Sequence, residues 1–364
     1  MKDKKNALNE LIIDCDAIAR NYTSIQNYIG SNIDCAVVMK SNAYGLGSVP
    51  IMQSLSKAGC NKFFVRTIEE AVDLRSYSLT DEIYVLGGIL EGEEDRFANN
   101  HIIPVLNTKE QFELFNNYCV RKGRIFEAAL HVDAGLGYTG IPISAAIDLA
   151  KQGFFIQKLK LRFIMSDLSC GHNINSKKNK EQLSLLNRLK ELINLPVSLI
   201  TGSSIHLGSE YYFDILRVST MIFGETNSVS FNLEPAIFLT SKIIQLKQVE
   251  EDSFIGYEAV AKVPKGSILA TIPIGSGNGI LRSLSNKGVF YINGEPAPIV
   301  GKIASDLTVL DVTNVTKDFI RLGEVVEILG EHSSIQALAS AANTNSHEIV
   351  SSLCRSANKI YLNS

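Results

Sequence analysis

Residues 35–75, "CAVVMKSNAYGLGSVPIMQSLSKAGCNKFFVRTIEEAVDLR", decide the fold. The opening run "CAVVMK" has strand length and no polar face. A polar loop broken by glycines follows, then "SVPIMQSLSKAG" with helical spacing, a second apolar run "KFFVR", and the amphipathic "TIEEAVDLR". Strands that are apolar throughout need cover on both faces, which parallel pairing with helical crossovers supplies. The alternation continues through "EIYVLGG", "IIPVL", "FEAALHVD", "KLKLRFIMS", "VSLITG" and "RVSTMIFG". Helix-like stretches such as "TKEQFELFNNYCVRKG", "ISAAIDLAKQG" and "KEQLSLLNRLKELIN" lie between most of them. About eight β/α units in roughly 220 residues fit a closed (β/α)8 TIM barrel better than an open doubly wound sheet.

Near Leu233 the pattern changes. "LEPAIFLTSKIIQLKQVEEDSFIGYEAVAKVPKGSILATIPIG" holds strand-length runs broken by Gly, Pro and acidic turns, and "GVFYINGEPAPIVGKIA", "DLTVLDVT" and "GEVVEILG" continue the trend. The α/β fold expected is therefore a barrel over residues 1–232 and a mostly β C-terminal domain over 233–364. A short helical segment near 333–355 and the terminal "NKIYLNS" close it.

Composition narrows the class of function. The 364 residues are 45% apolar and 20% charged, with a net charge of -3, so no basic field favours nucleic acid or an anionic membrane. The basic runs "KDKK" and "SKKNK" are short and read as solvated loop charges. Six cysteines stand without a CxxC pair or zinc-type spacing, as in a reduced cytoplasmic protein with no metal site. The apolar run near the N-terminus is too short for a signal-peptide core, and no stretch approaches the ~18 apolar residues of a membrane span.

In a parallel barrel the C-terminal strand ends carry the chemistry, which places Lys40, Asp133, Ser166, Ser203, Ser204 and Arg217 near one mouth. A lysine there can simply reach for water. Partly desolvated, it can instead act as a nucleophile or base, or hold pyridoxal phosphate. "GSGNG" at 275–279 follows a strand, but no helix opens after it, which argues against a nucleotide loop.

The string around Lys40 favours the chemical reading. "VVMKSNAYGLG", followed by "FFVRTIEEAVDLR" and "IYVLGG", resembles the N-terminal signature of the alanine racemase family. "HVDAGLGYTGI", "DILRVSTMIFG", "SFIGYEAVA", "IPIGSGNGILR" and "GKIASDLTVLDVT" are similar, in order, to further family segments, so the resemblance runs from about Leu11 to Tyr361. It implies a barrel followed by a β domain, a pyridoxal 5'-phosphate cofactor, and a homodimer whose C-terminal domains complete each other's active sites. The activity implied is interconversion of L- and D-alanine by two-base α-proton exchange, supplying D-alanine for peptidoglycan.

Residue by residue, the resemblance makes Lys40 the Schiff-base lysine and the base on one face of the substrate, and Tyr257 the acid/base on the other. Arg217 would face the pyridine nitrogen. An arginine does not give up its proton, so it would leave that nitrogen unprotonated and favour simple reprotonation of the substrate. Tyr44, Ser204 and the backbone around Ser219 and Thr220 match phosphate-binding positions, and Asp306 matches an aspartate near the substrate carboxylate.

The departures cluster at the same site. Tyr138 stands in place of an arginine that helps bind the substrate carboxylate, and His131 in place of the lysine that holds that arginine. Ser166 is read in place of a histidine that packs on the pyridine ring. Ser276, Ser305 and His347 replace a tyrosine, a methionine and a phosphate-contacting tyrosine. These changes leave room for a racemase of another amino acid, or for a pyridoxal phosphate-binding protein without racemase activity.

Overall fold

The computed structural model describes residues 7–225, 232–353 and 358–363. The basic run at 2–5 and Cys354 lie outside the described residues. Eight parallel strands form the barrel: Asp34–Val38, Lys62–Val65, Glu82–Val85, Ile103–Leu106, Glu127–Asp133, Lys160–Met165, Val197–Ser198 and Ile215–Val218. The ring closes between the last two of these, through Asp214 N–H to Val197 O at 3.0 Å and Arg217 N–H to Ile200 O at 3.2 Å. This is the expected barrel followed by a mostly β domain.

The side-chain period of two explains both the core and the mouth. Ala36, Phe64, Tyr84, Val105, Ala129, Phe163, Met165 and Ile215 point inward and form one buried cluster. The Phe64 and Tyr84 rings stack at 4.7 Å, and Tyr84 meets Phe163 at 5.1 Å. Their alternates, such as Val37, Phe63, Val65, Ile83 and Val132, pack outward against the helices. Crossover helices start where the sequence offers a cap. Asp14 accepts from the Ala17 amide at the head of Cys15–Ile29, Thr67 from Glu70 at the head of Ile68–Arg75, and Thr108 from Gln111 at the head of Lys109–Lys122.

The strand Asn9–Asp14 precedes the barrel in sequence but does not join it. It pairs antiparallel with Ile237–Lys242 and parallel with Asn358–Leu362, inside a six-stranded sheet of the C-terminal part. The expected segment 1–232 thus includes one strand that belongs to the other sheet. A three-stranded sheet (Gln245–Gln248, Ile268–Ile272, Thr308–Asp311) and a hairpin (Ser253–Ile255 with Ala261–Val263) make up the rest of the β part. The helical segment near the end is two helices, Ile335–Ala342 and Ser346–Leu353. In the "GSGNG" stretch, Gly279 has φ +95° and lies against the backbone of Ser352, where a Cβ would clash at 1.8 Å. That glycine serves close packing, not phosphate binding. Among the described residues no helix is long and apolar enough to cross a membrane.

After Lys40 the chain makes an uncommon turn. Ser41, Asn42, Ala43 and Tyr44 all have positive φ (56, 55, 51 and 58°), a left-handed turn of four residues without a glycine. Each such residue costs roughly 1–2 kcal/mol. The turn is held by Ala43 N–H to Met39 O and Gly45 N–H to Ser41 O, both 2.9 Å, and by Asn42 Oδ1, which accepts from the Ser48 amide at 2.8 Å. Tyr361 Oη adds a 2.6 Å bond to Leu46 O. Because Ser41 is exposed, a substitution there reads the backbone alone. Ser41→Val is expected to lower the stability of the apo protein by about 1–2 kcal/mol, and Ser41→Gly to change it by less than about 1 kcal/mol. Urea unfolding checks this, and equal effects of the two would refute the strain.

Candidate active site

The inward parity that builds the barrel core continues past the strand ends and delivers the site. Continuing from Ala36 and Val38 it reaches Lys40, from Tyr84 it reaches Leu86, and from Ala129 it reaches His131. From Met165 it reaches Asp167, and from Ile215 it reaches Arg217 and Ser219. All of these line a cavity of about 250 Å³ at the C-terminal mouth, with Tyr44, Thr139, Thr201, Ser203 and His347 completing it. The Lys40 amine makes no ion pair or hydrogen bond with any described residue, so it is available to a ligand. The left-handed turn brings Tyr44 back to the same cavity wall.

One end of the cavity gathers neutral donors. Ser219 Oγ lies 3.0 Å from His347 Nε2, and the His347 ring meets Tyr44 edge-on at 5.4 Å. Tyr44 Oη is buried and has no hydrogen-bond partner of good geometry. Burial pushes its phenol well up, only partly offset by the nearby Ser219 hydroxyl, so it stays a neutral donor. Burial likewise lowers the His347 imidazole, with Glu225 opposing and Lys40 assisting, which leaves the ring neutral near pH 7. His347 reaches this end because Glu225 accepts 2.6 Å from Ser346 Oγ and is also bonded by Thr220 Oγ1. Sequence reading had no signal for this clamp, since Glu225 and Ser346 are 121 residues apart.

The hydroxyls of Ser204 and Thr220 are both engaged within the chain. Ser204 is buried and engaged in its own turn: its amide and hydroxyl both donate to Thr201 O, and its hydroxyl accepts 3.0 Å from the Thr201 amide. Ser203 is the serine on the cavity wall. The Thr220 hydroxyl bonds Glu225 and so holds that clamp, while the expectation for Ser219 and Thr220 concerned their backbone.

The charged lining residues gather around Arg217. Arg217, 3% exposed, donates from Nη2 to Asp167 Oδ1 at 2.8 Å and to Ser166 O at 2.6 Å, and from Nε to Ser198 Oγ at 2.9 Å. Burial alone would raise the Asp167 carboxyl, but Arg217 and then His131 and Lys40 outweigh it and hold it below the usual carboxylate range. Ser166 is fully buried and contributes only its carbonyl. Asp167, not Ser166, is the residue at this position that faces the cavity. His131 is kept neutral mainly by burial. Its Nδ1 lies 2.7 Å from Asn107 Oδ1, while Asn107 Nδ2 donates to Leu86 O and Val105 O. That fixes Asn107 Oδ1 as the acceptor, so Nδ1 of His131 carries the proton and Nε2 faces Asp167 at 3.8 Å.

The remaining predicted site residues do not line this cavity in the single chain. Tyr138 is 86% exposed in a loop pinned by Asp133, whose Oδ1 accepts from the Gly135 and Leu136 amides at 2.8 Å. Tyr257 is 69% exposed at the tip of the Ser253–Val263 hairpin, beside the Glu258–Lys302 ion pair. Ser276, Ser305 and Asp306 share a second loop pair, tied by Ser276 N–H to Ala304 O at 2.8 Å and Gly277 N–H to Ser305 O at 2.7 Å. Ser305 Oγ also bonds Asp306 Oδ1 at 3.2 Å. One chain alone therefore brings together a lysine, a charged end and a donor end, without these exposed groups.

An elongated anion-bearing cofactor with a carbonyl group fits what the cavity offers. Tyr44 Oη, a buried donor lacking a partner, marks the anion end, together with Ser203, Ser219 and His347. The unpaired Lys40 amine can form a covalent bond to a carbonyl, and Arg217 stands as a fixed donor in the same cavity.

Comparison with known proteins agrees. The family model for the N-terminal domain of alanine racemase matches residues 13–227, and that for its C-terminal domain matches residues 236–361. A Rhodospirillum rubrum protein named alanine racemase is 34% identical over 360 residues, covering 97% of this chain and 95% of that protein. A Rickettsia akari protein of the same name is 34% identical over 358 residues, covering 98% and 99%. Among solved structures, the alanine racemase of Bartonella henselae with covalently bound pyridoxal phosphate superposes with a TM-score of 0.92 at 31% identity, covering 98% of this chain and all of that one.

Proposed function

The chain belongs to the alanine racemase family, and from that premise we propose that it interconverts L-alanine and D-alanine with pyridoxal 5'-phosphate as cofactor. The observation that carries this reading is the unpaired Lys40 amine, set in one cavity with the neutral donors and Arg217. Bound pyridoxal phosphate supplies an electron sink that makes the α-proton of an attached amino acid removable. Lys40 would hold the cofactor covalently, and its amine would move a proton on one face of the substrate α-carbon. Tyr44, Ser203, Ser219 and His347 bind the phosphate, with Ser204 and Thr220 supporting the turns that present them. Arg217 would donate a hydrogen bond to the cofactor ring nitrogen without transferring a proton, because a guanidinium does not deprotonate in this range.

A racemase needs a second proton-transfer group on the opposite face. Tyr257 is that group in this account, delivered with Ser305 and Asp306 by the C-terminal domain of a second copy in a homodimer. Their exposure and their distance from the cavity lining in a single chain support this arrangement. Tyr138 takes the place of a cation toward the substrate in this account. We place the enzyme in the cytoplasm, supplying D-alanine for peptidoglycan, with residues 1–232 forming the barrel apart from the strand Asn9–Asp14, which joins the completing domain over 233–364. Optical rotation provides the test. L-alanine incubated with the cofactor-loaded protein should decay to the racemic value, and an unchanged rotation with both alanine enantiomers would refute the activity.

A further inference from the structure

The geometry points to Asp167 as a positioning residue: with Ser166 O and Ser198 Oγ it turns the Arg217 guanidinium so that Nη1 is the nitrogen left to meet a ligand. The inference rests on the pyridoxal phosphate reading above. Arg217 has five N–H donors. Nη2 donates to Asp167 Oδ1 and Ser166 O, and Nε donates to Ser198 Oγ, which itself donates 2.8 Å to Ile215 O. Nη1 has no partner among the described residues. The guanidinium plane is therefore fixed from two sides, and its free edge opens on the cavity that Arg217 lines.

Asp167 is itself held in place. Gln182, fully buried on the helix Lys177–Leu192, donates from Nε2 to Asp167 O at 3.0 Å and accepts from the Ser169 amide at 3.0 Å and from Ser169 Oγ at 2.8 Å. The charged and titratable groups around the carboxylate are Arg217, His131 and Lys40, with Asp133 acting on His131. His131 turns an unprotonated nitrogen toward Asp167, so Arg217 is its one strong partner. A buried guanidinium without a counter-charge would carry a large desolvation penalty and would turn toward another anion. The carboxylate removes that freedom. It also balances the arginine charge, so this end of the cavity adds little net positive field at Lys40.

The test is the pH titration of the visible band of the cofactor-loaded protein, with the cofactor dissociation constant measured alongside. In Asp167→Asn the unbalanced Arg217 charge should disfavour a cation at Lys40. The titration midpoint should then move to lower pH by about one unit, and the dissociation constant should rise about tenfold. Asp167→Glu, which keeps the charge but moves it by one methylene, should fall between wild type and Asp167→Asn. In a Arg217→Gln background the second change Asp167→Asn should produce a much smaller shift. Additive shifts would overturn the proposal, as would an Asp167→Asn protein with a lower apo melting temperature but unchanged midpoint and affinity. Should Asp167→Asn not fold, Asp167→Glu decides: weaker cofactor binding supports positioning, and wild-type binding with a wild-type midpoint overturns it. A wild type with no visible band would remove the cofactor reading itself, which is a separate result.

Discussion

Lys40→Ala is expected to give a folded, colourless protein whose racemase rate falls by four orders of magnitude or more. The folding half of this expectation follows from exposure. Lys40 has no ion pair or hydrogen bond among the described residues and lies outside the buried cores, so its truncation should alter stability by no more than about 0.5 kcal/mol. The activity half combines two losses: the covalent hold on the cofactor and a proton-transfer group. Positioned acid–base groups alone account for roughly 10²–10⁴-fold, and covalent attachment adds to this. Four orders correspond to about 5.5 kcal/mol of barrier. The measurement is the visible spectrum with added cofactor, together with the initial racemisation rate. A yellow, active Lys40→Ala protein would remove Lys40 from the chemistry.

Tyr257→Phe should fold and bind cofactor as wild type does, yet lose about 10²–10⁴-fold in racemisation. Its hydroxyl makes no hydrogen bond to a described residue, and the ring is 69% exposed on a hairpin tip, so removing one oxygen disturbs nothing in the single chain. The loss should be unequal between proton exchange starting from L-alanine and from D-alanine, because Lys40 remains on the other face. A mixing experiment adds the geometry. If each site takes Lys40 from one chain and Tyr257 from the other, a mixed dimer of Lys40→Ala and Tyr257→Phe chains contains one intact site and one doubly altered site. Re-associated equal mixtures should then recover activity toward about a quarter of wild type. No recovery, with dimer exchange demonstrated, would place both groups on the same chain or remove Tyr257 from the reaction.

The barrel was legible because its signal is local and periodic. All eight apolar runs overlap barrel strands, although only Arg217–Val218 of the last run and Val197–Ser198 of the seventh are strand, and the capping threonines at 67 and 108 stand where their helices begin. What escaped was decided by contacts distant in sequence or by single-residue geometry. "NELIID" gives no hint that it pairs with strands beginning 228 and 349 residues later, Ile237–Lys242 and Asn358–Leu362. The left-handed turn at 41–44 contains no glycine, so nothing in "SNAY" announces positive φ. Ser204 and Ser203 are neighbours of the same type, and only the turn at Thr201 separates the hydroxyl bonded to backbone from the one on the cavity wall, which meets Thr201 Oγ1 at 3.0 Å.

Asp167 is the instructive case. Resemblance drew attention to Ser166, but the strand's own alternation was available. Phe163 and Met165 point into the barrel, so 167 continues inward and 166 does not. The residue that holds Arg217 could have been chosen by counting in twos. The exposed Tyr138, Tyr257, Ser305 and Asp306 illustrate the opposite situation, in which a motif identifies a position that a single chain does not bring to the cavity.

The most direct measurement is proton exchange in deuterium oxide, followed by NMR at the α-carbon of alanine with the cofactor-loaded protein. The account predicts deuterium at the α-carbon of both enantiomers, starting from either one, with Lys40 required for all exchange. Cofactor bound at Lys40 with no α-deuterium in either alanine enantiomer would contradict it.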